Sequence, residues 1–247
     1  MEKLIALCLL LPACLSAAPK LSETPTVAVF EAKKNIPHAS VRIPALLMTT
    51  KGTLIAVAEG RDKATDQAGN DLLVATSKDH GKAWSKPAIA YEQGNDSCNN
   101  PCLVQDTKSG RVFLFFQTFP AGGKEFSGLP VGPKDPKGNR LLYVTSDDDG
   151  ATWSKPVDVS EALKPDNAVT CASGPGIGIQ IHRGKFAGRG FLCARHAGSG
   201  QPHTAAADHD HLGRRLVHLG CVCGRASGRG RGGHRARDQS RHVQVLA

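Results

Sequence analysis

Two arginines and three closely spaced aspartates are the residues of this chain best suited to chemistry. Arg42 stands in Val41-Arg42-Ile43-Pro44-Ala45-Leu46, and Arg61 ends the run Gly52-Thr53-Leu54-Ile55-Ala56-Val57-Ala58-Glu59-Gly60-Arg61. Asp62, Asp66 and Asp71 follow it closely. A guanidinium is planar, permanently charged and able to hold a carboxylate through two parallel hydrogen bonds, whereas lysine offers a point charge. A carboxyl group on a neighbouring loop can give up a proton and take one back. Taken singly, each of these residues is most simply a surface salt bridge.

Other reactive residue types carry less. Of the eight cysteines, Cys8 and Cys14 fall in an apolar leader. Cys98 and Cys102, separated by Asn99-Asn100-Pro101, read either as a small disulfide loop or as two buried thiols. No second Cys/His pair lies at a distance that supports a metal site with them. His209 with His211, and Cys221 with Cys223, are short-range pairs in a biased segment and carry no metal expectation. The glycine run Gly174-Pro175-Gly176-Ile177-Gly178 is not followed by a helical pattern, so it is not a dinucleotide loop.

The elements that must position the arginines read as β-structure. Aromatic residues are scarce (5%), while Gly (27) and Pro (15) are frequent, which suits many short strands joined by tight turns. Strands are predicted over Leu54–Ala58, Leu72–Thr76, Ala88–Tyr91, Val112–Thr118, Leu141–Thr145 and Ile177–Ile181, each bounded by turn formers. Arg111–Thr118 is the most apolar and is expected to be an inner, fully covered strand. Ser160–Lys164 alone has a helical pattern, and Pro165 stops it.

An internal repeat decides the architecture. Ser77-Lys78-Asp79-His80-Gly81-Lys82-Ala83-Trp84-Ser85-Lys86-Pro87 recurs as Ser146-Asp147-Asp148-Asp149-Gly150-Ala151-Thr152-Trp153-Ser154-Lys155-Pro156. Both copies lie between predicted strands. Gly81 and Gly150 can take positive φ, Asp79 and Asp148 can accept from turn amides, and the tryptophans can cover the apolar base of a hairpin. The pattern resembles the Asp box of the bacterial-type sialidase (neuraminidase) family. The Arg42-Ile43-Pro44 tripeptide and the strand end Ala56-Val57-Ala58-Glu59-Gly60-Arg61 resemble that family's R-I-P and A-x-x-E-G-R motifs, in the same order before the first box.

The resemblance implies an all-β, six-bladed β-propeller, of which residues 19–189 would form about the first three blades. It implies an exo-α-sialidase, a glycoside hydrolase that removes terminal sialic acid from glycoproteins and glycolipids without a cofactor or metal. In this likeness Arg42 belongs to the arginine triad on the sugar carboxylate, Arg61 is the further pocket arginine, and Asp66 is the acid/base. Asp62 is expected to pair locally and Asp71 to open a strand. The boxes are expected to be structural staples at the blade periphery. The family's nucleophile is a tyrosine, in place of the usual carboxylate, activated by a glutamate. Here the only tyrosines are Tyr91 and Tyr143, and no glutamate follows Glu161. The resemblance therefore covers the first half of the domain, and hydrolysis by this chain is not expected. The competing reading is a non-catalytic Asp-box propeller that binds sialylated glycan or protein.

The two ends of the chain differ from its middle. Residues 1–18 combine Lys3, the apolar run Leu4–Leu11 and the small residues Ser16, Ala17 and Ala18, which is the pattern of a secretory signal. A secreted or periplasmic protein is expected. Cys14 offers a lipoprotein reading that Pro12 disfavours, and no segment is apolar enough to be a transmembrane helix. Residues 190–247 contain nine Arg, no Lys and three Asp, supplying +6 of the +9 net charge, and hold seven of the ten His. They lack Glu, Ile, Tyr, Asn and Met. That exclusion matches GC-rich codons read out of frame, and a disordered tail is the second option. Aromatic interleaving is missing beyond Phe191, so no nucleic-acid partner is expected. Sequencing the gene across the codons for Gly184 to Arg195 is expected to show an insertion or deletion; an intact frame would defeat this origin for the tail.

Overall fold

The structure is a computed structural model that describes residues 26–123, 128–180, 182, 191–192, 195–198 and 242–246, the last three segments by backbone alone. The leader at 1–18, Gly184–Arg189 and most of the basic tail lie outside the described residues. Strands β1 (Thr26–Glu31), β2 (Ser40–Met48), β3 (Leu54–Arg61), β4 (Asn70–Ser77) and β5 (Ala88–Tyr91) come first. Then follow β6 (Ser97–Gln105), β7 (Val112–Phe119), β8 (Arg140–Ser146), β9 (Val157–Asp158) and the single helical turn α1 (Ser160–Leu163). The short strands β10 (Thr170–Ser173), β11 (Gly176–Ile177), β12 (Ile179–Gln180), β13 (Phe191–Leu192), β14 (Arg195–Gly198) and β15 (His242–Leu246) complete the order. Among the described residues no helix is long and apolar enough to cross a membrane.

Two antiparallel four-stranded meanders form the body. The first runs β2-β3-β4-β5; the second runs β6-β7-β8-β9, with β11 added in parallel along the free edge of β6. Each is a blade in the propeller sense. Strand alternation sends Ile55 and Val57 of β3 to one face and Ala56 and Ala58 to the other, so both faces are dry. The first pair meets Leu103, Leu114 and Phe116 of the second blade in the largest core cluster. Ala56 and Ala58 leave room for Val29 and Phe30 of β1. The far face of the second blade packs Phe115 and Leu141 on Cys171 of β10. β7 lies inside its sheet with every residue but Phe113 buried, as the apolar run Arg111–Thr118 predicts.

The predicted strands and the helical turn form, with longer strands at several ends. One differs. Ile177–Ile181 is expected as a single strand, but it is split at Gly178, whose amide donates to Leu103 O (2.7 Å), and Ile181 lies outside the described residues. β1, β2, β6 and β10 are not in the predicted set. β2 and β6 each contain a proline, Pro44 and Pro101, and each tolerates it at a bulge where no ladder bond is needed.

That bulge also settles the cysteines. Cys98 pairs with Thr118 and Cys102 with Phe115, so one extra residue on β6 turns the two side chains to opposite faces. Cys98 joins the inter-blade core and Cys102 the far cluster, both as buried thiols rather than a disulfide. Burial pushes the Cys98 thiol pKa well up, which keeps it inert.

The two Asp boxes fold alike. Ser77 Oγ donates to Asp79 Oδ1 (2.8 Å) and accepts from Gly81 N (3.0 Å), and Ala83 N donates to Asp79 Oδ1 (2.9 Å). Ser146, Asp148, Gly150 and Thr152 repeat these bonds at 2.8, 2.8 and 2.9 Å. Gly81 and Gly150 sit at φ 87° and 86°. At Gly150 a side chain would also press on Ile55, at 3.1 Å from a Cβ. Trp84 packs on the β1-facing cluster and Trp153 on the inter-blade core. Hydrogen bonds from Thr152, with a smaller one from Ser146, outweigh slight burial and hold the Asp148 carboxyl at about 2. A carboxylate held down in the native state gives stability that is present above its ordinary pKa and is lost as pH falls through the native value. Thermal unfolding should therefore show a loss of stability between pH 3.8 and about 2 that is smaller in Asp148→Asn.

Candidate active site

The site begins at the end of β3. In the ladder Arg42 stands opposite Glu59 and Ser40 opposite Arg61, so all four residues share the face that looks toward the second blade. Gly60 between Glu59 and Arg61 faces the other way, where the His38 ring lies so close that a Cβ would come within 2.7 Å of Nδ1. His38 is held there by Asp71 (Nε2 to Oδ2, 2.9 Å). The glycine of the strand end is thus required by close approach. Asp71 is engaged behind the site as the second residue of β4, and Asp62 turns toward Gly69.

Arg61 is 1% exposed. Its Nε donates to Glu59 Oε2 (2.7 Å), Nη2 bonds the same oxygen, and Nη1 donates to Asp66 Oδ1 (2.8 Å) and Thr65 O (3.2 Å). Glu59 is wholly buried, and its Oε1 accepts from the backbone N–H of Asn100 in β6 (2.7 Å). Burial pushes the Glu59 carboxyl up to about 7, against the pull of Arg61 and the Asn100 amide. The side chain of Asp66 is 63% exposed. Arg42 is exposed and, among the described residues, has no ion-pair partner. Arg61 and Asp66 therefore touch directly, while Arg42 is brought beside them by register and keeps a free fork.

Two bulges shape the rim. β2 shifts register between Arg42 and Ala45 with Ile43 at φ 52°, and β6 shifts between Asn99 and Cys102 with Asn100 at φ 55°. Asparagine tolerates the left-handed region; a β-branched residue there is strained. Ser173 Oγ donates to Asn100 O (2.6 Å), extending the rim to β10. Glu59, Asn70, Asn99 and Asn100 also join this cluster, with His38 on the opposite face behind Gly60, and the sequence motifs assign none of them a part. The signal for Asn99 and Asn100 is a second residue–residue–proline tripeptide, Asn99-Asn100-Pro101, matching Arg42-Ile43-Pro44 in the neighbouring blade.

A propeller-type β-fold with an arginine-bound carboxyl at the end of an inner blade strand is the class these features define. The family model of the BNR repeat-like domain matches residues 52–218, and the chain belongs to that family, in its bacterial-type sialidase branch. An exo-alpha-sialidase of Aspergillus fumigatus is 36% identical over 165 residues, covering 60% of this chain and 40% of the relative. Sialidase-3 of Mus musculus is 30% identical over 188 residues, covering 70% of this chain and 44% of the relative. Among solved structures, a Hadza microbial sialidase superposes with a TM-score of 0.59 at 25% identity, covering 63% of this chain and 33% of that one. The chain spans about two fifths of the length of these curated relatives.

The buried pair makes a pH prediction. The native Glu59 carboxyl holds its proton more tightly than the unfolded chain does, so stability should fall as pH rises from 4.5 to about 7. Urea unfolding at stepped pH should show that slope, and Glu59→Gln should flatten it.

Proposed function

We infer that this chain carries the carboxylate-binding and proton-donating part of an exo-α-sialidase site, directed at terminal sialic acid on glycoproteins or glycolipids. The observation that carries the reading is the direct Arg61–Asp66 ion pair on the same sheet face as the unpaired guanidinium of Arg42. Sialic acid bears a carboxylate on its anomeric carbon. Arg42 offers that group a planar, two-pronged partner. Arg61 has its donors engaged by Glu59, Thr65 and Asp66, so its part is to orient the acid and bring positive charge close to the sugar. Asp66 protonates the departing glycosidic oxygen and afterwards activates water. In this reading residues 19–189 are the opening three blades of a six-bladed ring, residues 1–18 direct export, and residues 190–247 are out of frame.

One observation favours binding without turnover. Tyr91 packs on Phe116 at 4.8 Å between ring centroids and donates to Gln93, while Tyr143 packs against Phe113 and Phe115. Burial raises the pKa of both phenols, the opposite of what an attacking phenolate needs. Neither is the nucleophile of this site. The chain is therefore expected to bind N-acetylneuraminic acid and to leave a fluorogenic sialoside uncleaved. Titration calorimetry should show Arg42→Lys weakening binding about tenfold. Normal turnover would overturn the split between binding and catalysis; equal affinity in the Arg42 variant would overturn the assignment.

A further inference from the structure

The segment 62–69, which carries Asp66 from β3 to β4, has no sheet ladder to hold it. It is held at separate points. Ser40 Oγ donates to Lys63 O (3.1 Å), Arg61 holds Thr65 O and Asp66 Oδ1, and Gly69 N donates to Ser97 Oγ (3.1 Å). The densest attachment is the carbonyl oxygen of Asp66 itself. It accepts from Nδ2 of Asn70 (2.5 Å) and from Nδ2 of Asn99 (2.9 Å), which uses both of its lone pairs. The two amides come from different sheets, Asn70 opening β4 and Asn99 lying in β6.

Both amides are buried, at 0% and 4% exposure, and both leave Oδ1 buried without a hydrogen-bond partner. Buried amide oxygens normally find a donor, so two adjacent exceptions need a reason. That reason is the shared carbonyl. Each side chain must present its NH2 to Asp66 O, and neither can turn its oxygen toward a donor without releasing the loop. With Asp66 O held by the two amides and Thr65 O held by Arg61, the peptides on both sides of the Asp66 Cα are anchored, which restricts the direction of its side chain before Arg61 sets the carboxyl.

We propose that Asn70 and Asn99 are positioning residues, a two-amide clamp on the Asp66 main chain that fixes where its carboxyl stands. Asn99 makes this geometry conditional on the second blade being docked against the first. The importance of the clamp rests on Asp66 being the acid, but its existence is tested without any sugar.

Hydrogen exchange on the full chain compares wild type with Asn99→Asp, which keeps the shape and loses the donor, with Asn99→Ala, and with Asn70→Asp. Amides of 62–69 should exchange about fivefold faster in each, the effect of one lost buried hydrogen bond. Exchange in Leu54–Ala58 and in the box Ser77–Pro87 should stay as in wild type. The Nη protons of Arg61, kept distinct in NMR spectra while the guanidinium is held, should merge in the Asp variants. Unchanged exchange in 62–69, unchanged Arg61 signals, or protection lost evenly across both blades would each overturn the clamp. Failure to bind N-acetylneuraminic acid with the clamp signature present would instead sink the reading of a sialic-acid site around Arg42 and Asp66, so the two ideas fail separately.

Discussion

A guanidinium sealed at the seam between two β-sheets is the constraint on which the rest of this molecule turns. Taking a charge out of water costs several kcal/mol unless a counter-ion and further hydrogen bonds replace its hydration. Glu59, Thr65 O and Asp66 supply that replacement for Arg61, and Glu59 in turn takes the amide of Asn100 from the second blade. One buried charge thereby joins the end of β3, the loop that follows it and the inner strand of the next blade. The Arg111–Asp147 pair shows that geometry alone is not the point. It is also two-pronged, at 2.6 and 2.8 Å, but half its surface is wet, and a pair of that kind is worth about 0–1 kcal/mol.

The middle of the seam is apolar, and that division of labour gives the site its shape. Ile55, Val57, Leu72 and Val74 meet Leu103, Val112, Leu114 and Phe116 along most of the contact. Polar groups gather at its two ends: at the bulges of β2 and β6, Arg42–Ala45 and Asn99–Cys102, and at the β2–β3 turn, where Thr50 N donates to Gln105 Oε1 (2.8 Å) and Thr53 Oγ1 to Asp149 Oδ2 (3.4 Å). The dry part fixes how the blades lie against each other. The wet part inherits that placement, so residues as different as Arg42, Asp66 and Asn99 come together at one end with little regular structure of their own.

Much of this is legible in the residue string, for identifiable reasons. The Asp boxes combine a glycine that needs positive φ, a serine, an aspartate and a tryptophan at fixed offsets, so their local chemistry survives translation into coordinates. The stretch Leu54–Arg61 shows its strand in its apolar residues and its family likeness in its end. What stays hidden depends on parity and burial. Asn99-Asn100-Pro101 looks like a spacer or a turn between cysteines; it is a bulge inside β6, and a bulge changes which face every later residue occupies. Glu59 is plain as a letter in its motif, yet nothing in its neighbours says that it is wholly enclosed. Asn70 and Asn99 are 29 positions apart in sequence and meet only at one carbonyl oxygen. No period or spacing announces such a meeting.

The eleven-residue box has a property that reaches past stability. Its serine, aspartate and glycine bonds all close within the segment, as the matching distances in Ser77–Gly81 and Ser146–Gly150 show. A copied stretch of gene would carry a finished corner with it and would ask nothing of its new surroundings except an apolar surface for the tryptophan. Architectures assembled from such self-sufficient corners can grow by duplication, and the copies can then diverge freely along their inner strands. Here one copy's inner strand bears Arg42 and the other's bears Asn99, two unlike groups at equivalent bends.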